Sequence, residues 1–193
     1  MNRREAIKGF GLGAVGTMTT MVRPDQALSQ TYSDATRGLA PLKITKVRAI
    51  KTSPQSPRLV VVKVETSEPG LYGLGCATYN QRPLTVVTAI EEYLDPFARG
   101  RDVDNIEDLW QNAYTSSYRR NGPVLNNALA GLDMALWDIK GKRANMPVYQ
   151  LLGGKSRFAV DCYSHSSGRD FKQLEDSVHS KMEQGFRHIR IQL

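Results

Sequence analysis

Three polar side chains stand where this chain could do chemistry. Asn80 lies with Arg82 in a polar loop, T-Y-N-Q-R at Thr78–Arg82; His165 lies in Y-S-H-S-S-G at Tyr163–Gly168; Arg190 lies in the run R-I-Q at Arg190–Gln192. An amide both donates and accepts hydrogen bonds, and an imidazole changes charge near neutral pH. A guanidinium has a pKa above ~12, so it is a poor base, but it lowers the pKa of a neighbouring phenol. Each residue also has an ordinary structural role. Asn80 and Arg82 read as solvated turn residues, His165 as a strand-end histidine and Arg190 as a solvated or salt-bridged side chain. His179 reads as a surface residue and His188 as a strand residue. Cys76 and Cys162 are the only thiols. Nothing in the sequence brings them together, and they read as two lone buried thiols.

The elements that must position these residues follow from periodicity. Ile44–Thr52 and Arg58–Thr66 are rich in Val and Ile, and Val60, Val62 and Val64 alternate with Val61 and Lys63, as two strands require. S-P-Q-S-P between them supplies a turn. Gly73 and Gly75 interrupt a third short strand just before the Asn80 loop. Helical spacing follows over Pro83–Ala98 and Ile106–Tyr118. It continues in the stretch from Gly122 to Arg157, where Leu125, Ala128, Leu129, Leu132, Ala135, Leu136 and Ile139 share one apolar face. Pro123 suits its first turn, Lys140, Gly141 and Lys142 mark its end, and Pro147 opens a shorter turn closed by Gly153 and Gly154. Strands followed by helices make an α+β unit over 42–154. From 155 the pattern changes: Phe158–His165 reads as a strand, Asp170–Gln184 as a helix with Leu174, Val178 and Met182 on one face, and His188–Leu193 as a strand. This βαβ unit implies a parallel pair. Alternation sets His188, Arg190 and Gln192 on one face of its last strand and Ile189, Ile191 and Leu193 on the other. Two such strands cannot close a barrel, so the chain reads as a fragment or an early-ending product.

Composition bounds the rest. The 193 residues are 40% hydrophobic and 23% charged, and no apolar run approaches the ~20 residues of a membrane span. The net charge of +7 is scattered and forms no basic stripe interleaved with aromatics, which argues against a nucleic-acid partner. Residues 1–29 carry Arg3, Arg4 and Lys8 ahead of a Gly-rich, weakly apolar run, with Ala27 and Ser29 as a small-x-small cleavage site. This resembles a twin-arginine signal peptide and predicts export to the periplasm; the alternative is a flexible basic N-terminus on a cytoplasmic protein. Its removal would take four basic and two acidic residues, leaving +5. Residues 30–41 read as a linker.

Asp133–Lys142, D-M-A-L-W-D-I-K-G-K, and Pro147–Gly154, P-V-Y-Q-L-L-G-G, together resemble the end of the capping domain of the enolase superfamily. The resemblance covers roughly Leu42–Leu193. It implies an α+β capping domain followed by a (β/α)7β barrel, of which the chain holds the first β/α/β elements. It further implies a homo-oligomer at full length and Mg²⁺ held by three acids on later barrel strands, so that no metal ligand falls within this chain. Within the superfamily, T-Y-N-Q-R, Y-S-H-S-S-G and the arginine of the second barrel strand resemble the mannonate dehydratase-like branch. That branch implies Asn80 and His165 as substrate contacts and Arg190 as a catalytic residue assisting a tyrosine from a later loop. The reaction implied is removal of the proton next to the carboxylate of a sugar acid, with loss of water. Ser166-Ser167-Gly168 departs from the Ala-Asn-Gly of the branch, and the tyrosine lies beyond Leu193. Other sugar-acid dehydratases or racemases of the superfamily, and a non-catalytic remnant or oligomerisation module, are the alternatives.

Overall fold

A computed structural model describes residues 36–54 and 58–191. The expected signal peptide, most of the linker, residues 55–57 of the S-P-Q-S-P turn, Gln192 and Leu193 lie outside the described residues. The chain divides into two compact units, one up to Gly153 and one from Gly154.

In the first unit β1 (Ile44–Thr52), β2 (Leu59–Thr66) and β3 (Tyr72–Cys76) form an antiparallel sheet in sequence order. The register sets Val47 opposite Val64 and Val64 opposite Gly73, and likewise Ala49, Val62 and Gly75 in line. Val60, Val62 and Val64 are fully buried on one face, as their alternation requires. The helices that follow are α1 (Pro83–Thr88), a π-helical turn (Ala89–Leu94), α2 (Asp95–Ala98), α3 (Ile106–Thr115), α4 (Pro123–Ala144) and the single turn α5 (Val148–Leu151); α4 packs most extensively on the sheet, and α3 and α5 pack on α4.

Helix α4 presents Leu132, Ala135, Leu136 and Ile139 to the core, all essentially buried. Leu125 departs from the buried face and is 42% exposed, lining a cavity beside Tyr114 and Leu129. The helix also runs through Gly141, which is buried within it, and ends at Asn145, whose left-handed φ of 51° is the cap. Gly73 and Gly75 are the contact that lets α4 approach β3. A Cβ on Gly73 would lie 1.9 Å from the Ala135 carbonyl oxygen, and one on Gly75 would lie 2.0 Å from that of Gly131. Helix backbone therefore rests directly on strand backbone, which only glycine permits.

Both outer strands are covered at their open edges. Asp138 accepts a hydrogen bond from Leu74 N–H at 2.9 Å, while Lys142, paired with Asp138, donates to the Tyr72 carbonyl at 2.8 Å. On the opposite edge the buried Asp95 accepts from Val47 N–H at 2.7 Å and pairs with Arg99. Paired edge groups are unavailable to other strands. The expected continuous helix over Pro83–Ala98 is broken by the π turn, in which Asp95 N–H reaches back five residues to Ile90. Pro96, lacking an N–H, follows at once. Helix α3 ends three residues before the expected Tyr118.

The second unit holds β4 (Tyr163–Ser166), α6 (Phe171–Glu183) and β5 (His188–Ile191), with β4 and β5 parallel. Asp170 caps α6 by accepting from Gln173 N–H at 2.8 Å. Strand β4 is much shorter than the expected Phe158–His165. Pairing starts only at Tyr163, opposite His188, and the residues before it form no ladder. Phe158 is 98% exposed, and Met182 lies outside the expected buried face.

Candidate functional site

The first unit contributes Asn80. The chain leaves β3 through Ala77, whose N–H donates to Val60 at 2.9 Å, and Val60 N–H donates to the Thr78 hydroxyl at 3.1 Å. Arg82 N–H then closes a tight turn on the Tyr79 carbonyl at 3.1 Å. Asn80 occupies a central position of that turn, exposed, and its amide makes no hydrogen bond to a described residue. Arg82 is spent locally, donating to the Gln81 carbonyl. Pinned at both ends, the loop holds an unengaged amide toward solvent.

The second unit brings the other two residues together. The parallel register sets His165 opposite Arg190 and Tyr163 opposite His188, so all four side chains share one face. The other face carries Ser164, Ser166, Ile189 and Ile191; Ser166 is buried, and α6 packs on β4. His165 and Arg190 are exposed and stand near the carboxyl ends of both strands. Strand ends of this kind are where parallel α/β sheets bind ligands. Tyr163 and His188 lie one step back on the same face; alternation in the sequence already sets His188 beside Arg190, whereas the place of Tyr163 needed the register.

Both thiols are free and exposed, which corrects the expectation of buried cysteines. Among the described residues no group of three or more His, Cys, Asp and Glu side chains could hold a metal ion, so the residues present do not fit an Mg²⁺ site. No described helix is long and apolar enough to cross a membrane. Two carboxyls have displaced affinities for protons. Burial raises that of Asp133, and the nearby charge of Glu107 adds to it. Burial also pushes Glu65 upward, but the hydrogen bond from Lys63 and the charge of Arg48 outweigh it and leave that group below its usual range. Neither belongs to the residues with a candidate role. A cavity of ≈ 420 Å³ between α3 and α4, lined by Tyr93, Tyr114, Arg120 and Leu125 among others, contains none of them either.

A three-stranded antiparallel sheet under a helical layer is the architecture of a capping domain. The pattern of the mandelate racemase/muconate lactonizing enzyme N-terminal domain matches residues 30–153, and the chain belongs to that family, within the enolase superfamily. It is 56% identical over 155 residues to a D-galactonate dehydratase family member of Musicola paradisiaca, covering 80% of this chain and 37% of the relative. It is 59% identical over 152 residues to RspA, a D-galactonate dehydratase family member of Pantoea ananatis, covering 79% of this chain and 36% of the relative. Among solved structures, an enolase from Pantoea ananatis with bound D-gluconate and Mg superposes with a TM-score of 0.75 at 59% identity, covering 78% of this chain and 36% of that one. A mandelate racemase-like protein from Bordetella bronchiseptica RB50 superposes with a TM-score of 0.69 at 33% identity, covering 79% and 44%. The chain thus spans little more than a third of the length of the curated relatives it matches.

Proposed function

We propose that this chain is the capping domain and first barrel elements of a sugar-acid dehydratase of the mannonate dehydratase-like kind. The observation that carries the reading is the register pairing of His165 with Arg190 on one exposed strand-end face, in a chain whose relatives are D-galactonate dehydratase family members. The substrate is a six-carbon sugar acid, a class to which the D-gluconate bound by the Pantoea ananatis protein belongs.

Each residue has a role set by its chemistry. The guanidinium of Arg190 lowers the pKa of a phenol brought beside it, so that the phenolate removes the proton at C2. His165, its neighbour across the ladder, hydrogen-bonds substrate hydroxyls. Asn80, at the tip of a pinned turn, donates to and accepts from the same polyol. Mg²⁺ would polarise the substrate carboxylate in a complete enzyme, with ligands from outside this chain. The same reading makes the complete protein a homo-oligomer. Export through the twin-arginine route is a separate proposal resting on Arg3, Arg4 and the weakly apolar run behind them. Export of a fused reporter that is lost in an R3K/R4K variant would support it.

The test of the activity is an assay of a polypeptide that continues this chain over the relatives' full length, against a panel of hexonates, scoring the 2-keto-3-deoxy acid. Turnover of mannonate or gluconate, abolished in Arg190→Met, is expected. Turnover of galactonate without mannonate would overturn the branch assignment. Absence of turnover on every hexonate would favour a non-catalytic remnant.

A further inference from the structure

We infer that Tyr163 is a positioning residue that fixes the ring plane of His165, and this rests on the sugar-acid reading only in giving His165 a substrate to meet. The two residues are two apart on β4 and so share a face. Their ring centroids lie 5.3 Å apart with planes tilted by 47°, within the range of favourable aromatic contacts. Torsion about χ2 of a histidine is broad and roughly two-fold, so an exposed imidazole without a partner samples both ring nitrogens in either direction. Among the described residues His165 makes no hydrogen bond and no ion pair, and its ring contact is with Tyr163, which would limit that rotation.

The register adds a second layer to the same face. Tyr163 stands opposite His188 exactly one ladder step below the pair formed by His165 and Arg190. A ligand arriving at the carboxyl ends of the strands meets His165 and Arg190 first. Tyr163 and His188 lie behind them, on the side from which a side chain supports rather than reacts. The phenol hydroxyl of Tyr163 makes no hydrogen bond to a described residue, so the ring and not the hydroxyl carries the effect. Phenylalanine should therefore replace it, and leucine, which fills space without a flat face, should not.

Both variants are to be made in the polypeptide that continues this chain over the relatives' full length. With ¹³C-labelled histidine, the His165 Hε1 resonance of Tyr163→Leu should move by several tenths of a ppm as the ring current is lost, while Tyr163→Phe leaves it in place. With the hexonate that the wild type turns over, Y163L should raise KM about tenfold with kcat within about twofold, the signature of lost ground-state binding, and Y163F should restore KM. An unmoved His165 resonance in Y163L, or equal damage in Y163F and Y163L at equal melting temperature, overturns the inference. If the wild type turns over no hexonate, the functional reading fails, and the His165 resonance still decides whether Tyr163 orients it.

Discussion

Ser166 and Asp133 show what single side chains cost when the fold surrounds them imperfectly. Ser166 is 3% exposed, and its hydroxyl has no hydrogen-bond partner. A buried hydroxyl left unpaired costs ~1–3 kcal/mol. Alanine removes that cost without leaving a large void. Ser166→Ala should therefore stabilise the second unit by about 1 kcal/mol, read as roughly fivefold slower hydrogen exchange of the β4 amides. Unchanged or faster exchange would show that the hydroxyl is satisfied. Asp133 is half-buried on α4 with its proton affinity raised, by burial first and by Glu107 second. A carboxyl whose folded pKa lies above the unfolded one opposes folding once both states are ionised. That penalty is complete above the raised folded pKa and vanishes below the ordinary value of 3.8, where both states are protonated. Asp133→Asn should stabilise the protein at pH 7 by less than ~1 kcal/mol, since water screens a half-exposed pair. The gain should disappear as the pH falls through the carboxylate range. Urea midpoints of the two proteins at pH 7 and pH 3 measure both limbs.

Contact between α4 and β3 shows why the elements were legible and their closeness was not. The periodic Leu129, Leu132, Leu136 and Ile139 announce a helix face, and the alternating valines of β2 announce a buried strand. Gly73 and Gly75 announce only a weak strand until the partner is known. Their role depends on the Gly131 and Ala135 carbonyls, some sixty residues away, and no local pattern encodes that distance. The same holds for Asp138 and Lys142. Along the helix they are an ordinary i, i+4 ion pair, yet in space they occupy the open edge of β3. The π turn before Pro96 escaped for a different reason, since periodicity over Pro83–Ala98 does not distinguish an i, i+5 turn from an α-helical one. Of the residues with a candidate role, the alternation of β5 placed Arg190 on a polar face, whereas its pairing with His165 needed the register. Gly75→Ala tests the contact. Its methyl group would lie 2.0 Å from a backbone carbonyl in a helix that cannot yield locally, so a loss of about 3 kcal/mol or more is expected. The corresponding change at Gly73 should be as severe. A urea midpoint for either variant within experimental error of the wild type would mean that α4 does not rest on β3 at this spacing.

The two units differ most in what they bury. Every buried hydrophobic residue of the described chain, from Leu42 to Ala144, belongs to the first unit. In the second, Ser166 alone is buried, while Phe158, Val160, Phe171 and Met182 are each more than half exposed. Full burial of one such side chain contributes ~1.5–3 kcal/mol, so the first unit holds a core that can offset the entropy of ordering its chain, and the second does not. Strands β4 and β5 hydrogen-bond to each other alone among the described residues, and each keeps an open edge. A parallel pair is stabilised by further strands and by helices on both faces, which the second unit has in only one helix, α6. In the 193-residue chain the two units should therefore unfold separately. Amides of β1, β2 and α4 should exchange only through global unfolding, and those of β4, α6 and β5 through local opening, at least a hundredfold faster. Ending the chain at Gly153 should leave the melting temperature of the first unit within a few degrees. Supplying the remaining length of the relatives should raise protection in β4 and β5 to the level of the first sheet. If residues 163–191 in the 193-residue chain instead showed protection equal to that of β2, the second unit would be stable without further strands, and its exposed apolar side chains would have to be covered by another copy of the chain.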